Sequence, residues 1–239
     1  MCDSSPTRLD QTTRVALIDF CGTVVDFPTA VAFTRFATAE IPTRHARRTG
    51  RVITWLHRLR VTGLLRHLFP ALSVVKRLNV YKLKGYTRDQ LDALAARYYE
   101  ERVKPHLIAE VLNELELLRT RGYRLIIVSG ALDAYVNVFA REMDIHDVLC
   151  TRLEYNDEGI CTGRFDGPDI MGKRKVEAVY RLLGEDVDRT QWVSFSDMRE
   201  DLPLLRLAPN AVVVSRDLPQ TWATRLNLSQ IQYHAKNDK

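Results

Sequence analysis

Several absences bound this chain. It has four cysteines in 239 residues, Cys2, Cys21, Cys150 and Cys161, with no CxxC pair and no regular spacing. That is no disulfide framework, and the thiols read as reduced in a cytoplasmic setting. The six histidines are scattered without zinc-ligand spacing. No internal repeat is evident. The opening "MCDSSPTRLDQTT" has no apolar core segment, so no signal peptide is expected. Acidic residues are missing from one long stretch: none occurs between Glu40 and Asp89, while twelve Lys and Arg lie from Arg44 to Arg88. The net charge is only +5, so the rest of the chain is net acidic. Such segregation speaks of a surface or a partner rather than of fold.

What is present is ordinary for a globular protein: 46% hydrophobic and 27% charged residues, enough for a sizeable core. Short apolar runs recur as "RVALIDF" (14–20), "YRLIIVSG" (123–130), "DVLCTRLEY" (147–155), "QWVSFSD" (191–197) and "NAVVVSRD" (210–217). Each is rich in Val, Ile or Leu and reads as a buried strand. Helical spacing lies between most of them, at 106–123, 132–144 and 175–185. A hairpin is expected over 154–165. Strands alternating with helices predict an α/β fold, a Rossmann-like parallel sheet core covered on both faces. Residues 14–27 and 106–218 form that core. Residues 28–105 lack strand alternation and read as an inserted helical cap. Residues 1–13 and 227–239 read as polar termini, the second fraying.

In such sheets ligands bind beyond the carboxyl ends of the strands. Asp19, Ser129 and Asp197 each close an apolar run, so all three can meet there. Four motifs follow in order: "DFCGT" (19–23), "VSG" (128–130), Lys175 in "GKRKVEAV", and "SDMREDLPLL" (196–205). In this arrangement, from Val15 to Ser215, the chain resembles the haloacid dehalogenase superfamily, and its phosphoserine-phosphatase-like branch in particular. The resemblance implies a Mg²⁺-dependent phosphatase acting on a phosphomonoester through an aspartyl-phosphate. It implies Asp19 as nucleophile, Ser129 and Gly130 as phosphate-binding, and Lys175 on nucleophile and phosphate. It implies Mg²⁺ on Asp19, the carbonyl of Cys21 and Asp197, with Asp201 as ligand or close behind. Oxygen ligands suit such a hard ion.

Two positions depart from the family pattern. Cys21 stands where the family has an aspartate that serves as general acid and then base. Ser196-Asp197-Met198 stands for the usual Gly-Asp-Ser or Gly-Asp-Asp. A thiol is a poor hydrogen-bond donor, and general acid–base help is worth about 10²–10⁴-fold. Alternatives to a full phosphatase therefore stay open: a weakened pseudo-phosphatase that only binds, or a phosphotransferase to an acceptor other than water.

Plainer readings stand beside these. Asp19, Asp197 and Asp201 could be helix caps, Lys173 rather than Lys175 could face the site, Cys21 could be a small buried hydrophobe, and Asp26 reads as a solvated loop residue. The basic, apolar 51–78 segment fits a cap helix with arginines snorkelling out. It also fits a surface meeting anionic lipid or a polyanionic or lipid-linked substrate, which would add a peripheral membrane contact. Nucleic acid is not expected.

Overall fold

The computed structural model describes residues 14–43, 45–49 and 74–234. Most of the basic 51–78 segment, up to residue 73, lies outside the described residues. A seven-stranded sheet has the order β4-β3-β2-β1-β5-β6-β7. Its strands are β1 Val15–Ile18, β2 Arg124–Leu132, β3 Asp147–Tyr155, β4 Cys161–Asp166, β5 Trp192–Ser196, β6 Asn210–Arg216 and β7 Ser229–Tyr233. All neighbours pair in parallel except β3 and β4, which form the expected hairpin.

Alternation along β1 sorts its side chains to two faces. Ala16 and Ile18 join the core under helices Thr29–Glu40, Arg88–Tyr98, Ala109–Thr120 and Asp133–Glu142. Val15 and Leu17 join the other, with Val179 of helix Lys173–Leu183 and Trp192. All four are wholly buried, which is why this run reads as continuous apolar sequence. Each such side chain contributes about 1.5–3 kcal/mol by burial.

The register carries the site. Ile18 pairs with Ile127 on one side and Phe195 on the other. Ser129 and Asp197 therefore each lie one residue further along than the partner of Asp19. The sheet connects in opposite directions from β1, and ligands collect at such a switch point.

One element runs against the sequence expectation. Residues 229–233 form edge strand β7 on β6, where a fraying polar terminus was expected. The segment "SQIQY" is polar at alternate positions, and only Tyr233 is fully buried. An edge strand of that kind has too little apolar signal to stand out. Asp26 also departs from expectation: its carboxylate lies 3.0 Å from Nδ1 of His106, with its side chain 15% exposed.

The inserted helices are tied to the core by aromatic packing and by ion pairs, Lys104 with Glu142 at the surface and Lys76 with Asp169 nearly buried. Phe33, Tyr98 and Tyr135 sit with ring centroids 5.3 Å apart. Helix Arg88–Tyr98 is started by a capping box between Thr87 and Gln90. Helix Val74–Val80 sends Lys76 onto the core, where it meets Asp169, the carbonyl of Gly130 and, at 3.2 Å, the hydroxyl of Thr151. Other cations of the acid-free stretch also have partners within the protein. Arg77 lies over the Phe165 ring, Lys82 bonds Asn79, and Arg88 lies 3.9 Å from the Tyr155 ring centroid. No helix among the described residues is long and apolar enough to cross a membrane.

The Lys76–Asp169 pair is nearly buried, with side chains 11% and 9% exposed. Removing one partner strands a buried charge, so Lys76→Ala should cost about 3–5 kcal/mol in denaturant unfolding. The double variant Lys76→Met, Asp169→Leu should recover most of that loss. Equal loss in single and double variants would refute the ion-pair account.

Candidate active site

Asp19 follows β1 directly, and its backbone N–H donates to the Phe195 carbonyl at 3.0 Å. Its side chain is 7% exposed. Lys175, in the first turn of helix Lys173–Leu183, reaches it with Nζ 2.8 Å from Oδ1. The same Nζ lies 2.6 Å from Oδ2 of Asp201. That oxygen also accepts from the Ser196 hydroxyl at 2.7 Å. One buried ammonium thus stands between two buried carboxylates. Burial drives the Asp19 pKa up and the Lys175 charge opposes it. Burial pulls Lys175 down, yet Asp19 and Asp201 together carry it above its ordinary value. Of the two lysines it is Lys175 that points inward, 3% exposed, while Lys173 is exposed.

Ser129 is 1% exposed and its hydroxyl hydrogen-bonds Asp19, favouring the carboxylate. Gly130 leaves room for Met171, whose Cγ would lie 2.7 Å from an added Cβ. Asp197 extends past β5 toward the β1 turn. A Cβ on Gly22 would lie 2.1 Å from Asp197 Oδ2, and Gly22 has φ +76°. Only glycine fits both demands. Thr23 donates to Asp197 Oδ1 at 3.4 Å. Among the described residues Asp197 has no ion-pair partner, and its pKa is pushed up to about 7, by burial first and then by the Asp19 charge.

Cys21 faces the same cavity. Its Sγ lies 3.0 Å from the Thr29 hydroxyl, which lies 2.7 Å from the Tyr135 hydroxyl. Tyr135 already accepts from the Leu132 N–H at 3.0 Å. When Tyr135 gives its proton to Thr29, the Thr29 proton goes to Cys21. In that order the Cys21 S–H is free to face the cavity. Burial, then the Asp19 charge, pushes the thiol up to about 11.

Sequence reasoning did not find Thr29, Lys76, Asp169 or Gln220. Gln220 donates from Nε2 to the Asp197 carbonyl at 3.0 Å and accepts from Trp222, bracing the loop that carries Asp197. Lone polar residues in loops and helix starts carry no motif, so only the three-dimensional contacts reveal them.

Among the described residues no three His, Cys, Asp or Glu side chains cluster as a metal site. Two carboxylates and a backbone carbonyl are a sparser donor set. They suit Mg²⁺, which keeps several waters and takes one or two carboxylates. Asp197, raised to about 7 without a counter-ion, is the observation that fits a cation beside it.

A family model described as haloacid dehalogenase-like hydrolase matches residues 16–206. Protein CicA of Caulobacter vibrioides is 30% identical over 127 residues, covering 53% of this chain and 56% of that protein. A histidinol-phosphatase of Neisseria meningitidis is 23% identical over 139 residues, 56% of this chain and 63% of that one. The chain thus spans little more than half the length of these curated relatives. The fold is similar to that of a substrate-bound phosphoserine phosphatase, with TM-score 0.56 and 18% identity over 86% of this chain and 87% of that one.

Metal binding should show proton linkage. A carboxylate binds the ion only when deprotonated, so at about pH 6, below the Asp197 value, Mg²⁺ uptake should release a proton, and at about pH 8.5 it should not. Calorimetry in buffers of differing ionisation enthalpy measures this. Asp197→Asn should abolish both binding and release; Mg²⁺ binding unchanged in that variant would contradict the site.

Proposed function

The chain belongs to the haloacid dehalogenase-like hydrolase family, and on that footing we propose that it is a Mg²⁺-dependent phosphatase working on a phosphomonoester through an aspartyl-phosphate. The observation that carries this reading is the buried Asp19–Lys175–Asp201 triad at the head of a cavity of about 340 Å³. A histidinol-phosphatase among the relatives supports the same class of reaction.

Asp19 attacks phosphorus with one carboxylate oxygen, the bond from phosphorus to the leaving oxygen breaks, and the alkoxide leaves as the alcohol with a proton from solvent or, weakly, from the Cys21 thiol. Lys175 spends two protons on Asp19 and Asp201, and its third is available to a phosphoryl oxygen. Asp201, itself held by Ser196, keeps the ammonium in place. Ser129 gives its one proton to the nucleophile at rest and turns it to the phosphoryl group as the carboxylate attacks. Asp19, Asp197 and the Cys21 carbonyl would hold Mg²⁺, which supplies charge neutralisation at the phosphoryl oxygens. Water then attacks phosphorus, the bond from phosphorus to the Asp19 oxygen breaks, and phosphate leaves carrying the water's proton, which restores Asp19.

Cys21 shapes that second half. A thiol pushed up to about 11 stays neutral near pH 7 and takes no proton from water. It can donate weakly to the leaving oxygen. This observation favours a long-lived phospho-enzyme, and with it the second reading: transfer to an acceptor better than water, or binding with little turnover.

Two variants test the reading. Asp19→Asn should remove activity by far more than the about 10²–10⁴-fold that an acid–base residue supplies; near-normal turnover would sink the mechanism. Cys21→Asp should speed hydrolysis of the phospho-enzyme by up to about 10²–10⁴-fold whichever ester formed it, and should speed its formation more from alkyl than from aryl phosphates. A variant slower on every ester would show that Cys21 is tuned for something other than acid–base work.

A further inference from the structure

The cavity is lined by a charged cluster and by a set of apolar side chains. Asp19, Ser129, Lys175 and Asp201 line it past the end of β1, and its walls also include Pro28, Val31, Ala131, Met171 and Met198. Met171 and Met198 come from two different loops, after β4 and after β5. They are 50% and 46% exposed, large apolar side chains left uncovered beside a charged centre. Gly130 admits Met171 to this position, as its missing Cβ shows.

Cations in the cavity do not alter that character. Among the described residues, the cation lining it apart from Lys175 is Lys76. An ammonium has three protons, and Lys76 has three core acceptors in the Gly130 carbonyl, Thr151 and Asp169. Gripping a substrate carboxylate would mean giving up one of these bonds. A second anionic group would also approach Glu200, which lines the same cavity. Methionine is flexible and polarisable, so two of them can close on apolar groups of differing shape.

We infer that the substrate's leaving group is an uncharged, apolar alcohol, alkyl or aryl, seated between Met171, Met198 and Val31. The two methionines determine specificity. The inference rests on the phosphatase reading for its chemistry, and of the substrates left open by the sequence it selects the lipid-like over the polyanionic.

The test measures kcat/KM for n-propyl, n-butyl and n-pentyl phosphate beside phosphoserine and glycerol bisphosphate. Calorimetric binding of the matching n-alkylphosphonates is measured in parallel. Efficiency and affinity should rise several-fold per methylene, and the charged esters should fall at least about tenfold below pentyl phosphate. Met171→Ser and Met198→Ser should each flatten the chain-length slope. Turnover that favours the charged esters, or a slope unchanged in both variants, would overturn the inference while leaving a phosphatase. Alkylphosphonate affinity that rises with length without turnover of any ester would uphold the pocket and overturn the phosphatase reading instead.

Discussion

Lys175 stands between Asp19 and Asp201, all three nearly out of contact with solvent. Two carboxylates buried side by side repel each other and forfeit hydration, at a cost of several kcal/mol per ion. One ammonium shared at 2.8 and 2.6 Å offsets both penalties. The arrangement requires the first turn of helix Lys173–Leu183 to face the end of β1, which the parallel sheet and its crossovers provide. It also leaves Asp19 ionised at a place where a phosphoryl group can reach it. Fold, electrostatics and the proposed chemistry meet in that one contact.

Asp197 shows the same constraint without its solution. It lies against Gly22 so closely that no other residue fits, and it lacks a cationic partner among the described residues. The raised pKa of Asp197 and the ion-paired state of Asp201 are the two sides of one charge balance, in which the proposed divalent ion would complete what Lys175 begins. Cys21 enters this balance as a neutral group. Held by Thr29 and Tyr135 beside an anionic Asp19, a thiol adds no further negative charge where an aspartate would add one. The trade is electrostatic ease in the resting site against proton transfer later.

Much of this was legible in the sequence because its signals are local or periodic. Val15–Ile18 announces a buried strand by being apolar throughout, and the residues that close such runs fall at one sheet edge by topology alone. Asp19, Ser129, Lys175 and Asp197 are brought together in the structure as the four motifs imply. What was not legible depends on long-range contact. β7 is a half-polar edge strand whose pairing, not its composition, makes it a strand. Gln220 matters only because that strand brings its loop against Asp197. Lys76 is one cation among twelve in an acid-free stretch, and nothing in the stretch distinguishes the one whose partner, Asp169, lies 93 residues away.

The central claim is that Asp19 takes the phosphoryl group. Acid quench of the protein during turnover of an alkyl phosphate, followed by peptide mass spectrometry, measures it directly. The account predicts one phosphoryl group on the peptide carrying Asp19, released by hydroxylamine as an acyl phosphate is, and more abundant in the natural protein than in Cys21→Asp. Phosphate release under the same conditions with no label on that peptide, or with the label on another residue, would contradict it.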